Sequence, residues 1–182
     1  MTGHYAQSLF LEWGNGAMKT QNGFSLIELL IVVVIIGIIA AIAIPNLLAS
    51  QRAANESSAI SSLRTLHGAQ STYQSTSGMG EYATLLDDLQ NANLIDTTLA
   101  SGSKSGYLFD VTANPSTATE PATFSHCSVP GNTTGITRTG SRRFCVRTEG
   151  ILRVSSDAGQ LGVPIAYADC AEGVAGITVL GN

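Results

Sequence analysis

Charge is scarce in this chain. Only 12% of its 182 residues are Asp, Glu, Lys or Arg, and the formal net charge is −4. Aromatic residues make up 6%. Nucleic-acid-binding domains carry a basic face with interleaved aromatic platforms, and this composition provides neither overall, which argues against nucleic acid as a partner. The patterns of catalysis are absent too: no nucleophile elbow, no phosphate-cradling glycine loop and no metal-ligand spacing. His4, His67 and His126 are scattered along the chain. No catalytic residue, metal site or cofactor is therefore assigned. Cysteines number 3, namely Cys127, Cys145 and Cys170. If that part of the chain is exported, a disulfide is permitted there.

What the chain does have is one long apolar run, NGFSLIELLIVVVIIGIIAAIAIP, over Asn22–Pro45. At about 1.5 Å per residue, Phe24–Ile44 spans roughly 31 Å as a helix, against a hydrocarbon core of about 30 Å. A single charge interrupts it, Glu28, near its N-terminal end. A carboxylate at the centre of a membrane span costs roughly 2.5–3.5 kcal/mol and less near the interface, so Glu28 marks function and needs a partner. Glu28 as a stray charge that snorkels to water is the plainer alternative.

A short basic leader, Met18-Lys19-Thr20-Gln21-Asn22, precedes Gly23, Phe24, Glu28, the apolar run and Pro45. This constellation resembles the type IV pilins and the pseudopilins of type II secretion. The resemblance implies that a prepilin peptidase, which is also the methyltransferase, cuts between Gly23 and Phe24. It then methylates the new amine of Phe24. That amine is cationic, and Glu28 of a neighbouring subunit can neutralise it, because a paired charge costs far less to bury than a lone one. The resemblance also implies that Pro45 loosens the helix on assembly. Proline lacks the N–H and crowds the preceding turn, so Ala41–Ile44 is expected to kink or unwind locally. Gly37 and Ala41 form a small-xxx-small pair that lets helices approach closely.

The implied function is a structural subunit of a type IV pilus-like filament, a helical homopolymer. The alternatives are a type II secretion pseudopilin or minor pilin and, from another class, a membrane-tethered binding domain that never polymerises. The implied partners are copies of the chain itself, the peptidase, the inner-membrane assembly platform with its ATPase, and an outer-membrane secretin pore in a two-membrane bacterium. The implied location is the inner membrane as a single-pass precursor, then an extracellular or periplasmic filament. The low aromatic content gives no support to electron transfer along the fibre. An ordinary secretory signal, with Ala41-Ile42-Ala43 as its cleavage site, is disfavoured by the length of the run and by Glu28. Residues 1–17 hold Glu12 and no basic residue. They do not read as an export leader, and Met18 is the better start.

The expected organisation is a leader over 1–23, a membrane or filament-core helix over 24–45, and an amphipathic continuation over 46–76. A connecting region over 77–106, a sheet over 107–160 and a tail over 161–182 follow. In the continuation, Ile60, Leu63, Leu66, Ala69 and Tyr73 recur at helical spacing and form one apolar stripe. Arg52, Glu56, Arg64, Gln70 and Gln74 fall largely off it, and His67 reads as a surface residue. Ser77-Gly78-Met79-Gly80 ends the helix. Short helices are expected at Tyr82–Leu89 and Thr97–Ala100, and Ser101–Gly106 reads as a turn. Strands are expected at Tyr107–Val111, Ala122–Cys127, Arg142–Arg147 and Ile151–Val154, the last two joined by a hairpin at Thr148-Glu149-Gly150. The fold class is α+β: a pilin fold, with the long helix packed on a roughly four-stranded antiparallel sheet.

Alternation in the third strand puts Phe144 and Val146 on one face and Arg143, Cys145 and Arg147 on the other. If Phe144 faces the helix, the tail can lie over the outer surface. The resemblance favours a C-terminal disulfide, Cys145–Cys170. Cys127–Cys145 is the alternative, because Cys127 has the same outward parity. Arg138, Arg142, Arg143, Arg147 and Arg153 form a basic group, read as a solvated face that discourages edge pairing in preference to an anion-binding surface. Asp87, Asp88 and Asp96 do not form a calcium-loop pattern.

Overall fold

The computed structural model describes residues 23–171 and 174–181. The leader Met18–Asn22, residues 1–17 and His4 lie outside the described residues. Internal contacts divide the chain after Ala40. Helix α1 is assigned without interruption over Leu26–Ser75, with Pro45 inside it.

In the first unit, residues 23–39 are all exposed. Val32, Val33 and Val34 are poor helix formers in water. Their helical state satisfies every backbone group locally, as an apolar surrounding demands.

The second unit is a helix on a sheet. After α1 come α2 (Leu86–Asn91), α3 (Thr97–Ala100) and six strands: β1 (Ser103–Lys104), β2 (Tyr107–Asn114), β3 (Thr123–Pro130), β4 (Arg143–Arg147), β5 (Leu152–Ser155) and β6 (Thr178–Val179). The sheet order is β1-β2-β3-β4-β5-β6, and every neighbouring pair is antiparallel. The four expected strands are β2 to β5. The two additional strands are edges of two residues each, too short to carry an alternating pattern.

Register fixes the two faces. Phe144 lies opposite Ser128 and Val154, and Val146 opposite His126 and Leu152. On the helix-facing side Tyr107, Phe109, Phe144, Val146 and Leu152 pack with Ala59, Leu63, Leu66 and Ala69, and Ala83, Leu86, Leu89 and Leu99 join the same core. Cys127 lies opposite Cys145, and Cys145 opposite Arg153, all on the outer side.

The expected apolar stripe is right in Leu63, Leu66 and Ala69, but the buried face also takes Glu56 and Gln70. Both were expected off the stripe. They are buried because each meets backbone that needs a polar partner. Gln70 is fully buried; its Nε2 donates to Ala83 O at 3.0 Å and its Oε1 accepts from Ala83 N at 2.9 Å. The same Nε2 lies 3.2 Å from Nε2 of His126, also fully buried. Since Nε2 of Gln70 can only donate, Nε2 of His126 accepts, which makes this histidine the neutral Nδ1–H tautomer. Burial pushes the His126 pKa down to about 3.

Serving Gln70 holds residues 81–83 outside any helix, so α2 starts at Leu86 rather than at Tyr82. Tyr82 instead packs at a tilt against Phe124, with centroids 4.6 Å apart. Asp88 caps α2 by accepting from Leu85 N, and Asp96 caps α3 by accepting from Leu99 N. Asp96 also pairs with Lys104 at 3.4 Å.

His67 is half-buried, not a surface residue. Its ring lies against Phe124 and its Nε2 is 3.2 Å from Thr148 O in the β4–β5 hairpin. Gly150 in that hairpin has φ +77, and a Cβ there would sit 3.2 Å from the His67 ring. Both the backbone conformation and the closeness of the helix call for glycine.

Candidate functional site

The first candidate site is the start of α1. Gly23, Phe24 and Ser25 are not helical, and Phe24 is 91% exposed. The Gly23–Phe24 peptide bond therefore lies in open, non-helical chain. A Cβ on Gly23 would have nothing within 4 Å, so this fold does not itself require the glycine.

Ser25 is the N-cap. Its carbonyl accepts the first helical bond, from Leu29 N at 3.2 Å. Its own N–H donates to Oε2 of Glu28 at 2.9 Å. Ser25-Leu26-Ile27-Glu28 is thus the acidic half of a capping box, in which the third helical residue reaches back to the cap. The S-x-x-E spacing is the signal in the sequence that marks this cap, and apolar periodicity does not register it. The bond gives Glu28 a partner within its own chain and places a negative charge on the positive end of the helix dipole. It occupies one carboxylate oxygen; among the described residues no hydrogen bond reaches Oε1, which can accept from another donor. A notch of about 230 Å³ beside it is lined by Phe24, Glu28, Leu29 and Val32.

Pro45 was expected to kink or unwind Ala41–Ile44. The helix continues through these residues without local unwinding. Two polar side chains serve backbone carbonyls here: Asn46 Nδ2 donates to Ile42 O at 3.2 Å, and Ser50 Oγ to Asn46 O at 3.0 Å.

A second group of functional side chains anchors the β3–β4 loop to α1. Glu56 Oε1 accepts from both the N–H and the hydroxyl of Ser141, each at 2.7 Å, and Oε2 from Arg142 Nε at 2.9 Å. Burial raises the Glu56 pKa, but the Ser141 and Arg142 bonds outweigh it and the carboxyl is held below its ordinary value. One turn earlier Arg52 Nε donates to Arg138 O at 3.2 Å, and the adjacent Asn55 Nδ2 donates to Thr139 O at 2.9 Å. Beneath the loop, Tyr107 donates its hydroxyl to Arg142 O at 2.8 Å. A Cβ on Gly140 would run into the Tyr107 ring.

A third group is on the outer face of the sheet. Alternate residues of β4 each hold one part of the tail. Arg143 Nη1 donates to Val163 O at 3.0 Å, Cys145 is disulfide-bonded to Cys170 with Cα atoms 6.2 Å apart, and the Arg147 guanidinium lies 4.3 Å from the Tyr167 ring centroid. Of the two pairings left open by the sequence, Cys145–Cys170 is the one formed. Cys127 is free and buried, and its Sγ donates to Ile165 O at 2.8 Å. Burial pushes this thiol up to about 12.

Two of the five arginines do not lie on a solvated face, whereas Arg138, Arg142 and Arg147 are partly exposed. Arg143 and Arg153 are 7% and 4% exposed, and Arg153 pairs with Glu149 at 2.8 Å. Counting arginines along the sequence could not reveal that the tail would cover them. Among the described residues, no group of three or more His, Cys, Asp or Glu side chains converges on a point where a metal ion could be held.

A family model described as the prokaryotic N-terminal methylation motif matches residues 18–44. Among curated proteins, the type II secretion system core protein G of Escherichia coli is 31% identical over 105 residues, covering 54% of this chain and 69% of that protein. The type IV major pilin protein PilA of Myxococcus xanthus is 53% identical over 52 residues, 29% of this chain and 24% of that one. A fimbrial protein of Pseudomonas aeruginosa is 40% identical over 89 residues, 47% of this chain and 56% of its own. No solved structure matches.

Proposed function

Because the chain belongs to the family of type IV pilins and type II secretion pseudopilins, we propose that it is the structural subunit of a type IV pilus-like filament. The observation that carries this reading is the bare apolar helix: residues 23–39 are exposed throughout. Uncovered apolar area of this kind is stable in lipid or against identical helices, and exchanging one for the other is the physical content of assembly.

In this reading the leader is removed between Gly23 and Phe24 at the inner membrane. The open conformation of that bond and the absence of any packing demand on Gly23 support a glycine kept for the peptidase. The Phe24 amine, methylated, then meets the free Oε1 of Glu28 in a neighbouring subunit. That contact sets an axial stagger between subunits and removes an unpaired charge from the fibre core. Pro45, which leaves the Ala41 carbonyl without its helical N–H, marks where the helix loosens as the subunit leaves the membrane. The chain's role is structural, and the chemistry at Gly23–Phe24 is done to it by the peptidase. The assembly platform, its ATPase and the secretin act as partners in this scheme.

A second reading, a pseudopilin of type II secretion, is favoured by the 105-residue likeness to core protein G. N-terminal sequencing of the mature chain, with imaging of sheared surface fractions, tests the proposal. It requires a mature start at Phe24 and surface fibres containing the chain. A start elsewhere, or an abundant chain that stays single in the envelope, overturns it. A start at Phe24 with fibres confined to the periplasm favours the second reading.

A further inference from the structure

The outer face of the sheet holds three sulfurs where one bond needs two. Cys127, Cys145 and Cys170 lie in a single buried cluster with Ile165. Cys145 is shared between two geometrically allowed partners. One is Cys170, bonded at a Cα separation of 6.2 Å. The other is Cys127, directly opposite Cys145 in the β3–β4 ladder. Directly opposed residues of antiparallel strands have Cα atoms about 4.5–5.5 Å apart, within the roughly 4.4–6.8 Å that a disulfide spans.

We propose that Cys127 and Cys145–Cys170 form an intramolecular thiol–disulfide exchange device that releases the C-terminal strap, residues 161–170, from the sheet. The Cys127 thiolate attacks Sγ of Cys145. The Cys127–Cys145 bond forms, the Cys145–Cys170 bond breaks, and its electron pair leaves on Sγ of Cys170, which takes up the proton that Cys127 lost. One thiol and one disulfide enter and one of each leaves, so no oxidant or reductant is consumed. The strap then loses its covalent tie and keeps only non-covalent ones, among them Arg143 on Val163 O, Arg147 on Tyr167 and the packing of Ile165.

The strap is also the gate. While it is seated, the Cys127 S–H is buried and bonded to Ile165 O. Lifting Ile165 removes that acceptor and lets water reach the thiol, which frees the nucleophile at the moment the leaving segment loosens.

Trypsin sites at Lys104, Arg138, Arg143, Arg147 and Arg153 place the three cysteines on separate peptides. The full chain, purified in detergent without reductant, is incubated at pH 7, 8 and 9 in sub-denaturing urea, alkylated at intervals and digested. The alkyl label is expected to start on the Cys127 peptide and move to the Cys170 peptide. Its rate should rise about tenfold per pH unit while the attacking thiol remains below its pKa, and should not change on tenfold dilution. A label that stays on Cys127, moves to Cys145, or slows on dilution overturns the proposal. A second variant removes the dependence on rate. Cys170→Ser, treated with diamide while folded, is expected to yield a Cys127–Cys145 disulfide, and two persistently alkylatable thiols would overturn it.

Discussion

Glu56 and Ser141 are joined twice: one carboxylate oxygen on α1 accepts both the backbone N–H and the hydroxyl of a loop residue 85 positions away, each at 2.7 Å. Arg142 closes the group on the other oxygen. Glu56→Ala leaves a part-buried N–H without its acceptor and a half-exposed guanidinium without its counter-charge. The expected loss is about 2–4 kcal/mol, read as a lower Tm of the full chain in detergent. Glu56→Gln, which can still accept one bond, should lose less. An unchanged Tm in Glu56→Ala would show that the loop is held by other means.

The Gln70–His126 pair makes the second unit acid-sensitive. His126 has a folded pKa of about 3, below its ordinary 6.5. A histidine held neutral contributes stability that is fully present above the unfolded pKa and is lost as pH falls through the interval down to the folded one. Tm should therefore fall progressively between pH 6.5 and pH 3. Glu56, also held below its ordinary value of 4.5, adds its loss only below about that pH. His126→Phe should flatten the upper part of the curve and leave the lower part. Equal slopes in the two proteins between pH 6.5 and 5 would remove His126 from the explanation.

One substitution separates the capping bond of Glu28 from its proposed pairing with Phe24 of a neighbouring subunit. Glutamine can still accept from the Ser25 N–H, so Glu28→Gln keeps the helix cap and discards the charge. Glu28→Ala discards both. Both variants are expected to be cleaved at Gly23–Phe24 and to fail in assembly, seen as mature subunit retained in membranes with no sheared fibres. Normal fibres from the glutamine variant would assign the residue's work to capping alone.

Cys145→Ser tests the strap's contribution to stability. A disulfide closing a loop of this length typically contributes 2–4 kcal/mol by constraining the unfolded chain. The strap's other contacts remain, so the fold is expected to survive with a lower Tm and faster proteolysis within 161–170. Protease resistance equal to that of the parent chain would mean that Arg143 and Arg147 suffice.

Much of this arrangement was legible in advance. The apolar run, the four main strands, the strand parity and the tail over the outer face follow from periods of 3.6 and 2 applied to Leu63, Leu66, Phe144 and Cys145. What escaped was polar. Glu56 and Gln70 look solvent-facing on a helical projection because periodicity scores apolarity, while their burial is decided by distant backbone groups at Ser141 and Ala83. Arg143 and Arg153 look like surface charge until the tail is folded over them. The N-cap role of Glu28 was readable from Ser25-x-x-Glu28, yet a charge in an apolar run draws attention to its cost rather than to its neighbour three residues back.

The β3–β4 loop is gripped through its main chain: Arg52 and Asn55 take carbonyls of Arg138 and Thr139, and Glu56 takes the amide of Ser141. Carbonyls and amides are the same for nearly every residue type. Ile136, 76% exposed, and its immediate neighbours can drift in sequence without loosening the mount, so the outward chemistry of this loop is free to diverge while the scaffold beneath stays constant.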